Sequence, residues 1–355
     1  MKGWGISAAT IAAVRQTVTD CWHDGPGGWT HEWTAHARLA EQAGKYLEAA
    51  TLYGAAKFPV LATSARQRAL QNQVRTYLAA APSFPCRFER LLVPVAYRNV
   101  SVDVPVHVFQ RRGALRPRPL VCLSGGVDTL KMELHRVALM LALLGGFRVA
   151  VLDMPGTGES PIALARDGDA IYRGVIGHLN HDGGRTAIMG ISFGGHWAAR
   201  LAFDGQVDAA VNIGGPVGFG PADASLVMAL PNGMTGIIAN ALGLKNMPGQ
   251  ADAAALLSAF SIDRRRLDQL HCPLLVINGD QDPYIARQDT LGFEGVAGAH
   301  VWLVKGASHC AAEHFARVLI AAVGWLRVQL HGANAANRAT AALSKALLPT
   351  LASQD

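Results

Sequence analysis

Residues 189–195 read MGISFGG, with Ser192 set among Gly190, Gly194 and Gly195 and preceded by the apolar run Ala187, Ile188, Met189. Glycines two residues before and two after a serine leave room where a Cβ would clash if the chain bends hard, and they tolerate a strained backbone at the serine. The following GGHWAARLAF has helical periodicity. A buried strand, a sharp turn carrying Ser192 and then a helix make a nucleophile elbow, with the helix N-terminus favouring negative charge at the hydroxyl. The bare G-x-S-x-G spacing is a weak signal in a glycine-rich chain. The strand–turn–helix setting gives it weight.

Working outward, continuous apolar runs recur at 119–126 (PLVCLSGG), 148–156 (RVAVLDMPG), 185–192 (RTAIMGIS), 207–216 (VDAAVNIGGP), 272–280 (CPLLVINGD) and 299–306 (AHVWLVKG). Helical stretches at 130–146 and 315–330 accompany them. Unbroken apolar runs predict strands buried on both faces, and alternation with helices predicts a mostly parallel sheet with right-handed crossovers. The fold class is therefore α/β. Residues 89–110 alternate and are valine-rich, which predicts a β-hairpin around Arg98 and Asn99. Residues 1–86 read as two or three short helices ended by Pro82 and Pro85. The core is assigned to 87–216 and 271–331. Residues 217–270 interrupt the alternation as a helical insertion, either a lid over the sheet or extra surface helices. Residues 332–355 are an alanine-rich tail, a loose helix or disordered.

A serine hydroxyl needs a base, and the base needs an orienting acid. In this architecture the chain order is Ser, then Asp or Glu, then His. Asp282 lies in NGDQDPYI just past one apolar run, and His309 lies in KGASHCA just past the next. Side chains at the carboxyl ends of parallel strands converge on one crevice. Asp280 competes with Asp282 but follows the strand glycine directly and reads as a turn cap. His196, in the elbow helix, reads as pointing into the fold. Ser160 in GTGES reads as a turn residue. His178, His181 and Asp182 lack a further ligand at metal-binding spacing. The oxyanion is expected to meet the backbone N–H of Phe193 and a donor from the loop LSGGVDTLK, at Gly126 or Val127. Met228 and Met234 hint at an apolar or aromatic ligand, although such methionines are more often core. No cofactor or metal is expected.

Half of the 355 residues are hydrophobic and 16% are charged, which suits a globular protein with a large core and excludes a disordered one. The net charge of +6 comes from scattered basic residues, which argues against nucleic acid as a partner. Cys21, Cys86, Cys122, Cys272 and Cys310 are odd in number and widely spaced, so reduced thiols fit better than a disulfide framework or a zinc site. No apolar run is long enough to span a membrane, and the N-terminus makes a poor signal peptide. A cytoplasmic protein acting on a small molecule is expected.

The motifs GISFGG, LDMPGTGESP, NGDQDP and GASH occur in order over roughly 115–330 and resemble the α/β-hydrolase superfamily. GGVDTLKMEL (125–134), GTGESP, GISFGGHWAARLA and YGAAKFP (53–59) are similar to the FrsA-like esterase group, which takes in 2,6-dihydroxypseudooxynicotine hydrolase and fungal polyketide-shortening hydrolases. The resemblance implies an α/β-hydrolase fold with the N-terminal helices as a lid against the core. It implies a Ser192–Asp282–His309 triad working through an acyl-enzyme, without metal or organic cofactor. The bond cleaved would be an ester or, as in some members, an activated carbon–carbon bond next to a ketone, in a small apolar or aromatic metabolite. A homodimer is suggested by the resemblance alone. Asp128 matches a family position and could hold its loop or touch substrate. Two departures, His196 where an aromatic residue is usual and Met132 where an acidic one is common, are expected to affect the pocket more than the triad. Two rivals stay open: an acyltransferase or cyclase using the same acyl-enzyme, and a non-catalytic ligand-binding protein of hydrolase fold. The second has no need for three triad residues in order.

Overall fold

The structure, a computed structural model, describes residues 5–113, 117–220 and 224–350. The valine-rich segment forms a hairpin of β1 (Arg87–Tyr97) and β2 (Val100–Gln110). Its two-residue turn has Arg98 at φ 44° and Asn99 at φ 67°, the left-handed pair that matches the twist of antiparallel strands. The apolar runs form β3 (Leu120–Ser124), β4 (Arg148–Leu152), β5 (Thr186–Ile191), β6 (Ala209–Ile213), β7 (Leu274–Gly279) and β8 (Ala299–Val304). The strand order is β1-β2-β4-β3-β5-β6-β7-β8, antiparallel through β2–β4 and parallel from β4 onward.

Helices cover both faces. Four stand at the N-terminus, α1 (Ala8–Thr17), α2 (Trp29–Gln42), α3 (Tyr46–Lys57) and α4 (Ser64–Ala80), where two or three were expected. The extra one, α1, has a weak apolar stripe and is started by the Ser7 hydroxyl accepting from the Thr10 N–H. Within the core come α5 (His135–Met140), α6 (Asp169–Leu179) and α7 (Gly194–Phe203). The insertion carries α8 (Ala224–Met228), α9 (Met234–Ala241) and α10 (Gln250–Ala259). The chain closes with α11 (Arg287–Leu291), α12 (Phe315–His331) and α13 (Ala335–Ala346).

Alternation along β5 explains the layering. Ala187, Met189 and Ile191 join the hydrophobic cluster that includes Val318, Ala322 and Leu326 of α12 and Leu70 and Tyr77 of α4. Ile188 joins the opposite cluster with Tyr172 of α6 and Trp197 of α7. Thus α4 docks the N-terminal helices on one face of the sheet, and the other N-terminal helices pack around their own cluster of Trp33, Leu52 and Tyr53.

Two expectations need correction. Residues 130–146 are not one helix: 131–134 form turns, and α5 then runs into a π-helical turn, Leu141–Gly145, before Gly146 at φ 74°. The turns arise because Glu133 bends back to accept from the Leu130 N–H and Lys131 is drawn inward by Asp153. Within the C-terminal tail, α13 is not loose but a capped helix packed on α12, with Asn337 accepting from Arg327 and Gly324 close against Ala341.

The insertion is rooted by one carboxylate. Buried Asp289, on α11, accepts from the N–H groups of Val217, Gly218, Phe219 and Gly220 at 2.9, 3.3, 2.7 and 2.8 Å. Removing that acceptor takes the partner from four backbone N–H groups, those of buried Val217 and Phe219 among them. Asp289→Ala is expected to lower the unfolding free energy by about 3 kcal/mol or more, read by denaturant titration, with Asp289→Asn losing less; a change below about 0.5 kcal/mol contradicts this role.

Candidate active site

Ser192 sits between β5 and α7 with φ 56°, a left-handed conformation that costs a non-glycine residue roughly 1–2 kcal/mol. Its N–H is held by the Ile213 carbonyl of β6 at 2.8 Å. The three glycines each answer a steric demand. A Cβ on Gly190 would lie 1.9 Å from the Gly194 carbonyl oxygen, one on Gly194 2.5 Å from the Gly125 oxygen, and one on Gly195 2.0 Å from Asn212 Oδ1.

The three strand-end residues meet. His309 Nε2 lies 2.9 Å from Ser192 Oγ, and His309 Nδ1 lies 2.6 Å from Asp282 Oδ2. Asp282 Oδ1 accepts from the N–H groups of Tyr284 and Ile285 at 2.7 and 3.1 Å. With its carboxylate on Nδ1, the imidazole carries its proton there and turns an acceptor toward the hydroxyl. Burial raises the Asp282 pKa, but the hydrogen bonds from His309, Tyr284 and Asn278 outweigh it and hold the carboxyl below its ordinary range. Burial disfavours the His309 cation, while the Cys310 sulfur and the Asp282 carboxylate favour it and win, so this ring holds a proton more tightly than an ordinary histidine.

Asn278, which the sequence reading passed over, is 1% exposed on β7. Its Nδ2 donates to Asp282 Oδ2 at 2.8 Å, and its Oδ1 accepts from the Cys310 N–H at 3.0 Å. One amide therefore fixes both the acid and the turn after the histidine, where Cys310 and Ala311 have φ of 57° and 51°. The only hint in the sequence was a polar residue inside an otherwise apolar strand.

The competing residues have other partners. Asp280 accepts from the Gly306 N–H at 2.7 Å and ties two turns together. His196 is buried among the rings of Phe193, Trp197 and Phe260; its Nδ1 donates to the Pro216 carbonyl at 3.1 Å. Burial lowers its pKa to about 4, so the ring is neutral. Ser160 donates to the Ile162 carbonyl within its turn. His181 and Asp182 are exposed and 3.3 Å apart. Among the described residues no group of three or more His, Cys, Asp or Glu side chains is arranged to hold a metal, and no helix is long and apolar enough to cross a membrane.

Gly126 lies against Ser192: a Cβ there would be 2.8 Å from Ser192 Oγ and 3.3 Å from the Phe193 N. Val127 is buried and packs in the core, and Asp128, half-buried beside it, accepts from the Thr129 hydroxyl at 3.2 Å. The loop is anchored by buried charges. Lys131 Nζ meets Asp153 and Glu159 at 2.6 Å each, and the Lys131 N–H donates to Asp153 at 2.7 Å. Glu133 accepts from the Leu130 N–H at 2.6 Å, from Gln73 of α4, and from Lys57 of α3 at 3.4 Å. The N-terminal helices are thus wired to this loop.

The methionines and the two departures lie elsewhere. Met228 is exposed and Met234, half-buried, packs against the core cluster, and neither lines the cavity beside residues 127–130. Met132 is buried in the cluster on the α12 face, so it and His196 shape the core, not that cavity.

A mostly parallel eight-stranded sheet with helices on both faces and a serine on a strand–helix elbow define an α/β-hydrolase. The family described as "Esterase FrsA-like" matches residues 17–331, and the chain belongs to that family. It is a hydrolytic enzyme of the esterase type. The FrsA esterase of Vibrio cholerae is 28% identical over 313 residues, spanning 79% of this chain and 73% of its own. That of Photobacterium profundum is 25% identical over 333 residues, spanning 86% and 77%. Among solved structures, AbyA5 superposes with a TM-score of 0.79 at 22% identity, covering 96% of this chain and 94% of its own. The 2,6-dihydroxy-pseudo-oxynicotine hydrolase superposes with a TM-score of 0.72 at 22% identity, covering 92% and 94%. These two likenesses bear on the fold.

The elbow geometry generates a prediction. Gly190→Ala forces a methyl into the Gly194 carbonyl, a backbone atom that cannot rotate away. A loss of about 3 kcal/mol or more of folding free energy is expected by chemical denaturation; a variant as stable as the parent contradicts this account of the elbow.

Proposed function

We propose that this enzyme is a serine hydrolase in which Ser192 is the nucleophile, His309 the general base and Asp282 its orienting acid. The reading is carried by one observation: the His309 ring holds Ser192 Oγ on one nitrogen and Asp282 on the other, at 2.9 and 2.6 Å. His309 takes the Ser192 proton as Oγ adds to a carbonyl carbon. The backbone N–H of Phe193 and one from Gly126 or Val127 receive the oxyanion. Collapse expels the leaving group, which takes the proton from His309, and leaves an acyl-enzyme. Water, deprotonated by the same ring, adds to the acyl carbon and releases the acid.

The esterase family supports an ester of a small metabolite as substrate. An activated carbon–carbon bond of β-diketone type is the finer alternative, supported by the fold shared with a 2,6-dihydroxy-pseudo-oxynicotine hydrolase. There the leaving group is an enolate, and His309 returns the proton to its carbon.

The test is the pH dependence of aryl-ester hydrolysis, with Ser192→Ala as the blank. The base must be neutral, so kcat/KM is low in acid and rises as pH climbs through the His309 pKa, at an inflection above the ordinary histidine value of about 6.5. Ser192→Ala is expected to lower kcat by about 10⁴-fold or more. A variant that retains parental turnover removes Ser192 as nucleophile.

A further inference from the structure

A cavity of about 300 Å³ opens beside the loop that covers Ser192. Its wall includes Val127 and Asp128, the two residues after Gly126, which touches the nucleophile. Consecutive Cα atoms are about 3.8 Å apart, so the cavity begins within roughly 8 Å of that contact. The enclosure draws on segments far apart in the chain. Lys57 and Leu61 come from the N-terminal segment, Thr157, Ser160 and Ile162 from the turn after β4, and Asn240 from α9 of the insertion. That insertion is tied to the turn by the Leu164 N–H donating to the Ala241 carbonyl at 2.9 Å.

The wall mixes apolar side chains with Asp128, Thr157, Ser160 and Asn240, and Lys57 is the cation in it that calls for a reason. It is 3% exposed, yet among the described residues its ammonium has one hydrogen bond, a long one of 3.4 Å to Glu133. Glu133 is satisfied without it, by the Leu130 N–H and the Gln73 side chain. A buried ammonium with donors to spare, in the wall of a cavity, is a recognition group for an acceptor. Its charge is already balanced by Glu133, and Asp128 adds a negative charge to the same wall without forming an ion pair with Lys57 among the described residues. That arrangement disfavours a carboxylate and suits a neutral carbonyl oxygen.

We propose that this cavity is the acyl subsite and that Lys57 donates to a ketone oxygen of the substrate's acyl chain, a few carbons from the scissile carbonyl. The substrate class is thus an oxoacyl compound, not a plain alkanoate. The inference rests on Ser192 being the nucleophile, because the subsite is located relative to it.

The test measures binding without turnover. Affinities of methyl 5-oxohexanoate and methyl hexanoate, which differ by the ketone oxygen, are compared by ligand-observed NMR in Ser192→Ala and in Ser192→Ala/Lys57→Met. The oxo ester is expected to bind about tenfold more tightly to the single variant, the worth of one hydrogen bond to a charged donor. That advantage is expected to vanish in the double variant. Equal affinities in the single variant, or binding of neither ester, overturn the subsite, and this arm needs no Lys57 substitution. An advantage that persists in a folded double variant overturns the role of Lys57. Failure of the wild-type enzyme to hydrolyse esters would overturn the hydrolase reading and is visible separately.

Discussion

The left-handed backbone at Ser192 is the constraint on which the site depends. With a φ of 56° Ser192 turns its hydroxyl to His309, and the chain holds that geometry only because residues 190, 194 and 195 carry no Cβ. The helix that follows starts immediately, so its N-terminal dipole lies at the hydroxyl. The neighbouring parallel strands then fix where partners can stand. β7 lies beside β6 and β8 beside β7, and the loops after them bring Asp282 and His309 to the same crevice.

What positions this arrangement is a set of buried polar clamps. Asn278 joins the acid to the histidine turn, and Asp289 gathers four N–H groups at the root of the insertion. Lys131 with Asp153 and Glu159, and Glu133 with Gln73 and Lys57, pin the loop beside Ser192. Buried ion pairs of this kind add little net stability, since desolvation offsets their attraction, but loss of one partner leaves an uncompensated charge. Their effect is geometric: the loop has one place to be. The N-terminal helices take part in that positioning through Lys57 and Gln73, so they do more than cover the core.

The sequence disclosed whatever rests on local pattern. Continuous apolar runs marked the strands, the hairpin turn fell at Arg98 and Asn99, and glycine spacing marked the elbow because one of its steric limits, Gly190 against Gly194, lies between residues four apart. Asp282 could be separated from Asp280 because one follows the strand directly and the other reaches further into its loop. What stayed hidden depends on contacts between distant segments. Asn278 and Asp289 look like ordinary polar residues until the backbone groups they serve, tens of residues away, are brought to them. Lys131 and Glu133 sat inside a stretch with helical periodicity, and ion pairing overrode that pattern. Met234 followed the apolar logic of the core, not that of a ligand, and α13 was obscured by a composition that fits a loose tail equally well.

The central claim is that Asp282 and His309 activate Ser192, and the most direct measurement is intact mass after treatment with a fluorophosphonate, followed by peptide mapping. The account predicts one adduct per chain, located on Ser192, forming much more slowly in Asp282→Asn, where the imidazole loses the partner that holds its proton on Nδ1. An adduct on another residue, or none on the folded native enzyme, would contradict it.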